Sequence, residues 1–364
     1  MTTPEITGPL HVRGVVLPEN EQRDLWIDDG VVHSTEIPGA TSIGVGWITP
    51  GLVDLHCHIG LDAEGPVDAA TAETQALTDR ATGVLLVRDA GTPADTRWVD
   101  DRADLPRIIR AGRHIARTRR YMRNYAWEIE PEQLADQMEA EARKSDGWVK
   151  IVGDWIDREK GDLAPCWPGW ALRDAIARAH EHGARVTAHV FSEEPLYDLF
   201  DAGIDGIEHG TGLTPELIST MAERGMSLVP TLVNIGQFPT YAAQGEGKFP
   251  TYAKHMRALH ASRHEVTRGA YEAGVTVLAG TDADGVLPHG LIADEIDAMV
   301  EAGVPAETAF GAASWTARAY LQGGTGSLET GAPADLCLWS DDPRLRTEWT
   351  RRPERVVLRG RLVA

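Results

Sequence analysis

Eight short apolar, β-branched runs recur through the middle of this 364-residue chain, and their alternation with amphipathic stretches leaves few folds open. The runs are GLVDLH, GVLLVRD, RIIRAG, GWVKIV, ARVTAHV, GIDGIEH, MSLVPTL and VTVLAGTD. Between them lie helical patterns such as TAETQALTDRA, PEQLADQMEAEARKS and ALRDAIARAHEHG. Strands that alternate with helices pair in parallel, and eight such units close a barrel whose first and last strands are neighbours. Residues 51–324 are therefore predicted to form a (β/α)8 barrel.

The two ends read differently. Residues 1–50 hold short β-like runs (LHVRGVVL, DLWIDDGVVHS) broken by Gly, Asp and Pro, and residues 325–364 repeat that texture in ADLCLWS and ERVVLRGRLVA. Neither end makes a stable sheet alone. A barrel brings its own ends together, so the prediction is an α/β, TIM-like barrel with a small β-sandwich domain composed of both chain ends.

Net charge is −20, from 35 basic and 55 acidic residues. That field repels phosphate backbones and argues against a nucleic-acid partner. The three cysteines, Cys57, Cys166 and Cys337, are scattered and have no metal-ligand spacing, which suits a reducing compartment. No stretch reads as a leader or a membrane span, so a cytoplasmic location, possible homo-oligomer formation and no membrane contact are the expectations. One region opposes the acidic balance: seven arginines and no Asp or Glu lie between Arg107 and Arg123. They form either a solvated surface or a recognition site for an anionic group.

The chemistry-bearing residues cluster at strand ends. His56 and His58 are two apart on the first run, so they share a face and can chelate one metal ion, while Cys57 points to the helix layer. Lys150 sits in the apolar fourth run, where a free ammonium is costly to bury. It is either paired with an acid or converted by CO2 to a carbamate whose two oxygens bridge cations. His189 ends the fifth run, His209 the sixth, and Asp282 follows the eighth. All six therefore fall at C-terminal strand ends, where barrel active sites lie. His180 and His182 read as helix C-terminal residues, and His255, His260 and His264 as surface or structural ones.

With ITPGLVDLHCH, VRDAG, AHEHGARVTAHV, GIDGIEHGT, AGTDADGVLPHG and the tail TGSLETGAPADLCLWSDDP, the chain resembles the amidohydrolase superfamily. Within it, the chain is similar to the branch of imidazolonepropionases and Xaa-Pro or Xaa-Arg metallopeptidases. The resemblance implies that His56, His58 and Asp282 bind one metal. His189 and His209 would bind a second, with carboxylated Lys150 bridging; zinc is the usual metal, two per chain, and other divalent ions are alternatives. It also implies a substrate contact for His289, which as a catalytic donor would help the metal polarise the substrate carbonyl. The expected reaction is hydrolysis of an amide, peptide, cyclic amide or urea-like C–N bond by a metal-bridging hydroxide, with Asp282 as general acid and base.

The pattern departs after the third run, where TRRYMRN (118–124) replaces a glycine-rich, histidine-bearing segment. Arg119, Arg120 and Tyr121 become candidate contacts for a carboxylate-bearing small molecule. Trp155, with Trp167 and Trp170, stands in a long loop that is either aromatic packing or a wall or lid for a ring. Alternatives are a mononuclear deaminase or imidazolonepropionase-like enzyme, a lactonase or phosphotriesterase-like activity on the same centre, and a non-catalytic scaffold. The last reading conflicts with the retention of all six ligands.

Overall fold

The computed structural model describes residues 8–323, 326–345 and 351–364. All eight runs become barrel strands: Leu52–Cys57, Val84–Asp89, Arg107–Arg110, Trp148–Val152, Arg185–Val190, Gly206–His209, Ser227–Val229 and Thr276–Val277. Neighbouring strands pair in parallel where the ladder is regular. Two further contacts close the ring. The first and last strands meet through Leu55 N–H donating to Ala279 O (3.0 Å), with Cys57 paired to Ala283 beyond. The third strand bends at Gly112 (φ +74°) and runs on as Ile115–Arg117, which pairs Ile115 with Ile151 of the fourth. Only glycine suits that bend, since a Cβ there would lie 2.5 Å from Glu141 Oε2 as well as in a left-handed backbone.

The helices between strands start and stop for local reasons. Ala69–Ala81 is capped by Asp68, whose carboxylate accepts from Thr71 N–H. Pro215–Arg224 begins with a Thr214 cap and a proline in its first turn, and ends at left-handed Gly225. Their apolar faces, with Ala72, Ala76, Leu217 and Met221, are buried in one continuous core with the strands.

Both chain ends enter one seven-stranded mixed sheet, in the order Arg361–Leu362, Arg355–Leu358, Leu336–Trp339, Thr41–Pro50, Leu10–Val16, Glu21–Asp28 and Val31–His33. The small β-domain is thus a single continuous sheet rather than two separate ones. Its far edge turns back to residues 331–334, where Val32 and Ala334 take part in backbone hydrogen bonds. Leu10, Val12, Leu25, Ile27, Leu336 and Leu338 fill the inside. The expected boundary at residues 324–325 lies outside the described residues. Among the described residues no helix is long and apolar enough to cross a membrane.

Candidate metal centre and substrate cavity

The ends of the last three barrel strands share an unusual backbone. His209 (φ +68°), Thr231 (φ +47°) and Asp282 (φ +59°) are all left-handed without being glycine. Such residues persist only where the surroundings hold them, commonly at functional sites. Here the turn brings three side chains to one place: His209 Nδ1 lies 2.7 Å from Thr231 Oγ1 and 4.0 Å from Asp282 Oδ2.

The six ligands expected from the sequence are brought together. His56 Nε2 and His58 Nε2 lie 2.9 and 3.1 Å from the same Asp282 oxygen, Oδ1. His189 Nδ1 and His209 Nε2 face each other at 2.9 Å. Lys150 Nζ is 3.5 Å from His56 Nε2. The His56 ring centroid is 5.1 Å from that of His209 and 5.2 Å from that of His58, so the groups form a single cluster. His56, His58 and Asp282 converge closely enough to hold one cation.

Electrostatics fit a cation-binding role. Burial depresses the basicity of His189 and His209, so both rings are neutral donors. Burial opposes ionisation of Asp282 too, but the charges and hydrogen bonds of His56, His58 and His209 outweigh it and hold the carboxyl well below its usual range. At His58, burial is outweighed by the hydrogen bond and charge of Asp282, which raise its pKa. Burial brings the Lys150 amine down to about 8 against the pull of Glu208 and Asp282. His189 Nε2 is buried with no hydrogen-bond partner.

Several residues behind the ligands were not anticipated. Glu208 Oε2 accepts from His56 Nδ1 (2.8 Å), which leaves Nε2 to face Asp282, and Gly91 O does the same for His58 Nδ1 (2.7 Å). Glu208 is in turn paired with buried Arg88 at 2.5 Å, and Arg88 also donates to Leu55 O. Asn234 donates through Nδ2 to Asp282 Oδ2 (2.6 Å) and accepts through Oδ1 from the Tyr241 hydroxyl. His114 stacks on His58 at 5.0 Å, with its Nδ1 buried and unpaired. A charge in the apolar run VLLVRD is the same signal that singled out Lys150, and it would have found Arg88.

Three expected substrate contacts, His289, Arg120 and Arg119, lie outside the lining of the cavity over the cluster. His289 does not overhang the mouth. Its Nδ1 pairs with Asp79 Oδ2 (2.8 Å) and lies 3.6 Å from Cys57 Sγ, on the helix side of the first strand, as Cys57 itself was expected to be. The loop after Asp282 carries it past the barrel rim, and Gly290 N–H is fixed to the same carboxylate. Arg120 lies outside the cavity lining: its Nη1 donates to Asp157 Oδ2 and its Nη2 to Trp155 O and Ala164 O, which clamps the hairpin Asp154–Asp157/Asp162–Pro165, while its buried Nε has no hydrogen bond among the described residues. Arg119 is exposed and lines a neighbouring recess with Arg123, Glu128 and Arg158, which shares Tyr121 as a common wall with the main cavity.

Tyr121 and Trp155 do line the approach to the ligands. Trp155 stands 5.4 Å and Tyr121 5.6 Å from the His189 ring, centroid to centroid. Trp167 instead donates to Val152 O from within the core, and Trp170 is exposed. The cavity above the centre has a volume of about 460 Å3. Its walls reach from His58, His189 and Asp282 at the base to Phe249 and Tyr252.

A buried His/Asp cluster able to hold a metal ion stands at the C-terminal mouth of an eight-stranded barrel and opens into a cavity, the layout of a barrel-type metallohydrolase. The amidohydrolase family profile matches residues 47–363, and the chain belongs to that family. An uncharacterized protein of Mycobacterium tuberculosis is 52% identical over 354 residues, 97% of this chain and 95% of that protein. Ochratoxinase of Aspergillus niger is 31% identical over 179 residues, 47% of this chain and 36% of the enzyme. The solved structure of that ochratoxinase aligns with a TM-score of 0.77 at 20% identity, over 98% of this chain and 96% of that one. A Xaa-Pro dipeptidase structure with methionine bound in its active site aligns with a TM-score of 0.82 at 23% identity, over 98% and 99% of the two chains. These structural likenesses concern the fold.

Proposed function

We propose that the protein hydrolyses an amide-type C–N bond at a binuclear metal centre. The observation that carries this reading is the meeting of His56, His58, Lys150, His189, His209 and Asp282 in one buried cluster at the base of a substrate-sized cavity. The donor set fits metal ions. Two imidazole nitrogens share one carboxylate oxygen, two neutral histidines face each other, and the buried His189 Nε2 has no hydrogen bond among the described residues. His56, His58 and Asp282 would hold one ion, and His189 and His209 the other. Lys150 would link them as a carbamate, for which a neutral amine is needed and a pKa of about 8 is favourable. Zinc suits such nitrogen and oxygen donors. When bound, such ions polarise a carbonyl and bring the pKa of water to ~7.

The chain's own residues do the rest. Glu208 and Gly91 O fix the His56 and His58 rings so that both Nε2 atoms face inward. Asn234 holds Asp282 Oδ2, leaving Oδ1 at the ligand cluster. In this reading Asp282 takes the proton from the attacking water and delivers it to the leaving nitrogen. Water oxygen ends on the carbonyl carbon, the C–N bond breaks, and an acid and an amine are released.

Metal analysis of protein produced with ample zinc and bicarbonate tests this directly. About two ions per chain are expected, falling on Lys150→Ala substitution together with most activity and partly restored by added short carboxylic acids. A stoichiometry that never exceeds one, or a fully active Lys150→Ala enzyme, overturns the bridged centre.

A further inference from the structure

The substrate cavity has a neighbour built from the same two segments of chain. Tyr121 and Met122 line the cavity, while Arg119, Tyr121 and Arg123 line the recess beside it. The hairpin repeats that division: Trp155 and Ile156 line the cavity, and Arg158, in the turn, lines the recess. Tyr121 belongs to both. Arg120 ties the two segments together through Asp157 Oδ2, Trp155 O and Ala164 O, so both spaces are held by one clamp. The recess has a volume of about 420 Å3.

The charge of the recess runs against that of the chain. Three guanidinium groups and one carboxylate, that of Glu128, line it in a protein of net charge −20. Glu128 Oε2 accepts from the backbone N–H of Arg119 (3.1 Å). That bond helps to hold Arg119 in a left-handed backbone (φ +61°), which a residue other than glycine keeps only where its surroundings fix it. Among the described residues, no hydrogen bond or ion pair engages the guanidinium groups of Arg119, Arg123 or Arg158. Each therefore offers the paired N–H donors that match a carboxylate. The cavity has no Lys or Arg in its own lining. Metal ions at the ligand cluster would hold the reacting carbonyl and draw in any carboxylate next to it. A carboxylate on a longer arm can instead reach the recess, where it keeps part of its hydration and meets arginines rather than an aromatic wall.

Resting on the hydrolase reading above, we infer that the recess is a second compartment of the substrate site and takes a carboxylate carried on an arm remote from the scissile C–N bond. It is built on TRRYMRN, where the sequence departs from the amidohydrolase pattern, and on the hairpin that this segment clamps.

Two acids test the inference, each against its neutral primary amide. Adipic acid monoanilide carries its arm on the acyl side of the anilide bond, and ε-benzamidocaproic acid carries it on the amine side. Calorimetric titration into the metal-loaded, full-length enzyme reads binding, and chromatography of the same mixtures reads cleavage. At least one acid is expected to bind about tenfold more tightly than its neutral amide, as a few partly exposed guanidinium contacts allow. The double variant Arg119→Gln/Arg158→Gln should shrink that ratio at least fivefold; both side chains are exposed, so the fold is kept. A preference below threefold on both arms overturns the inference, as does failure of all four compounds to bind at millimolar concentration. A preference that survives in the double variant overturns it too, because the metal ions and not the recess then hold the carboxylate. A preference that the double variant abolishes, without cleavage of any compound, leaves the inference standing and counts against the hydrolase reading alone.

Discussion

The buried pair of Arg88 and Glu208 is the most exposed point of this reasoning, because it ties ligand orientation to stability. Arg88 is 1% exposed and Glu208 0%. Burial would raise the Glu208 pKa, but the charges of Arg88, Lys150 and His56 hold it well below the usual range. Arg88→Met removes the largest of those influences and leaves Glu208 with Lys150 and His56. Removing one partner of a buried pair costs about 3–5 kcal/mol. With an m-value of about 3 kcal/mol/M, the urea midpoint should fall by roughly 1–1.7 M. The double variant Arg88→Met/Glu208→Gln has no uncompensated charge, so it should lose less than the sum of the two single changes. The eleven tryptophans report unfolding by fluorescence. Metal competition should show that Glu208→Gln alone weakens binding about 10–100-fold, since His56 loses the acceptor that fixes its ring. Single variants within about 1 kcal/mol of the parent, or strictly additive losses, would refute the argument.

Two further outcomes are expected. Gly112→Ala forces a Cβ to within 2.5 Å of Glu141 Oε2 in a left-handed backbone, so it should cost about 1–3 kcal/mol in urea unfolding and disturb the His114–His58 stack. Glu295 is buried, accepts from Leu232 and Val233 N–H, and has its pKa raised to about 8, chiefly by burial. An acid whose folded pKa is raised contributes stability below its unfolded pKa of ~4.3 and loses that contribution as pH rises through the folded value. The parent should therefore weaken between about pH 4.5 and 8 relative to Glu295→Gln, with a difference on the order of a few kcal/mol; parallel pH profiles for the two would contradict this.

The strand pattern was legible because most barrel strands are buried on both faces and so write themselves as nearly unbroken apolar runs, although Arg107–Arg110 alternates. The candidate ligands stood out because five of them interrupt or end such runs, and the structure brings them together with Asp282. Alternation placed Cys57 on the far face from His56 and His58 and could not have misled. Where the chain leaves the strands, that logic ends. His289 follows Asp282 by only seven residues, yet an Asp79 carboxylate from a distant helix captures it on the other side of the first strand. Arg120 is indistinguishable in sequence from Arg119, but it finds three oxygen acceptors on a hairpin nearly forty residues further on. His114 escaped notice because its place depends on the bend at Gly112, a backbone event with no side-chain period. Side-chain chemistry announces a donor, while loop geometry decides who receives it.

The shared sheet also sets an order of events during synthesis. Thr41–Pro50 is an inner strand whose partner on one side is Leu336–Trp339, roughly three hundred residues later in the chain. At about 5–20 residues per second, a ribosome takes some 15–60 s to supply it. Throughout that interval the strand offers an open row of backbone donors and acceptors, the kind of edge that recruits neighbours. The barrel must be built while this clasp is still unfastened, and the strands from Leu336 onward, which emerge only after the barrel, are those that fasten it. For this protein the vulnerable period lies in the making, and slowing translation through the barrel would lengthen it.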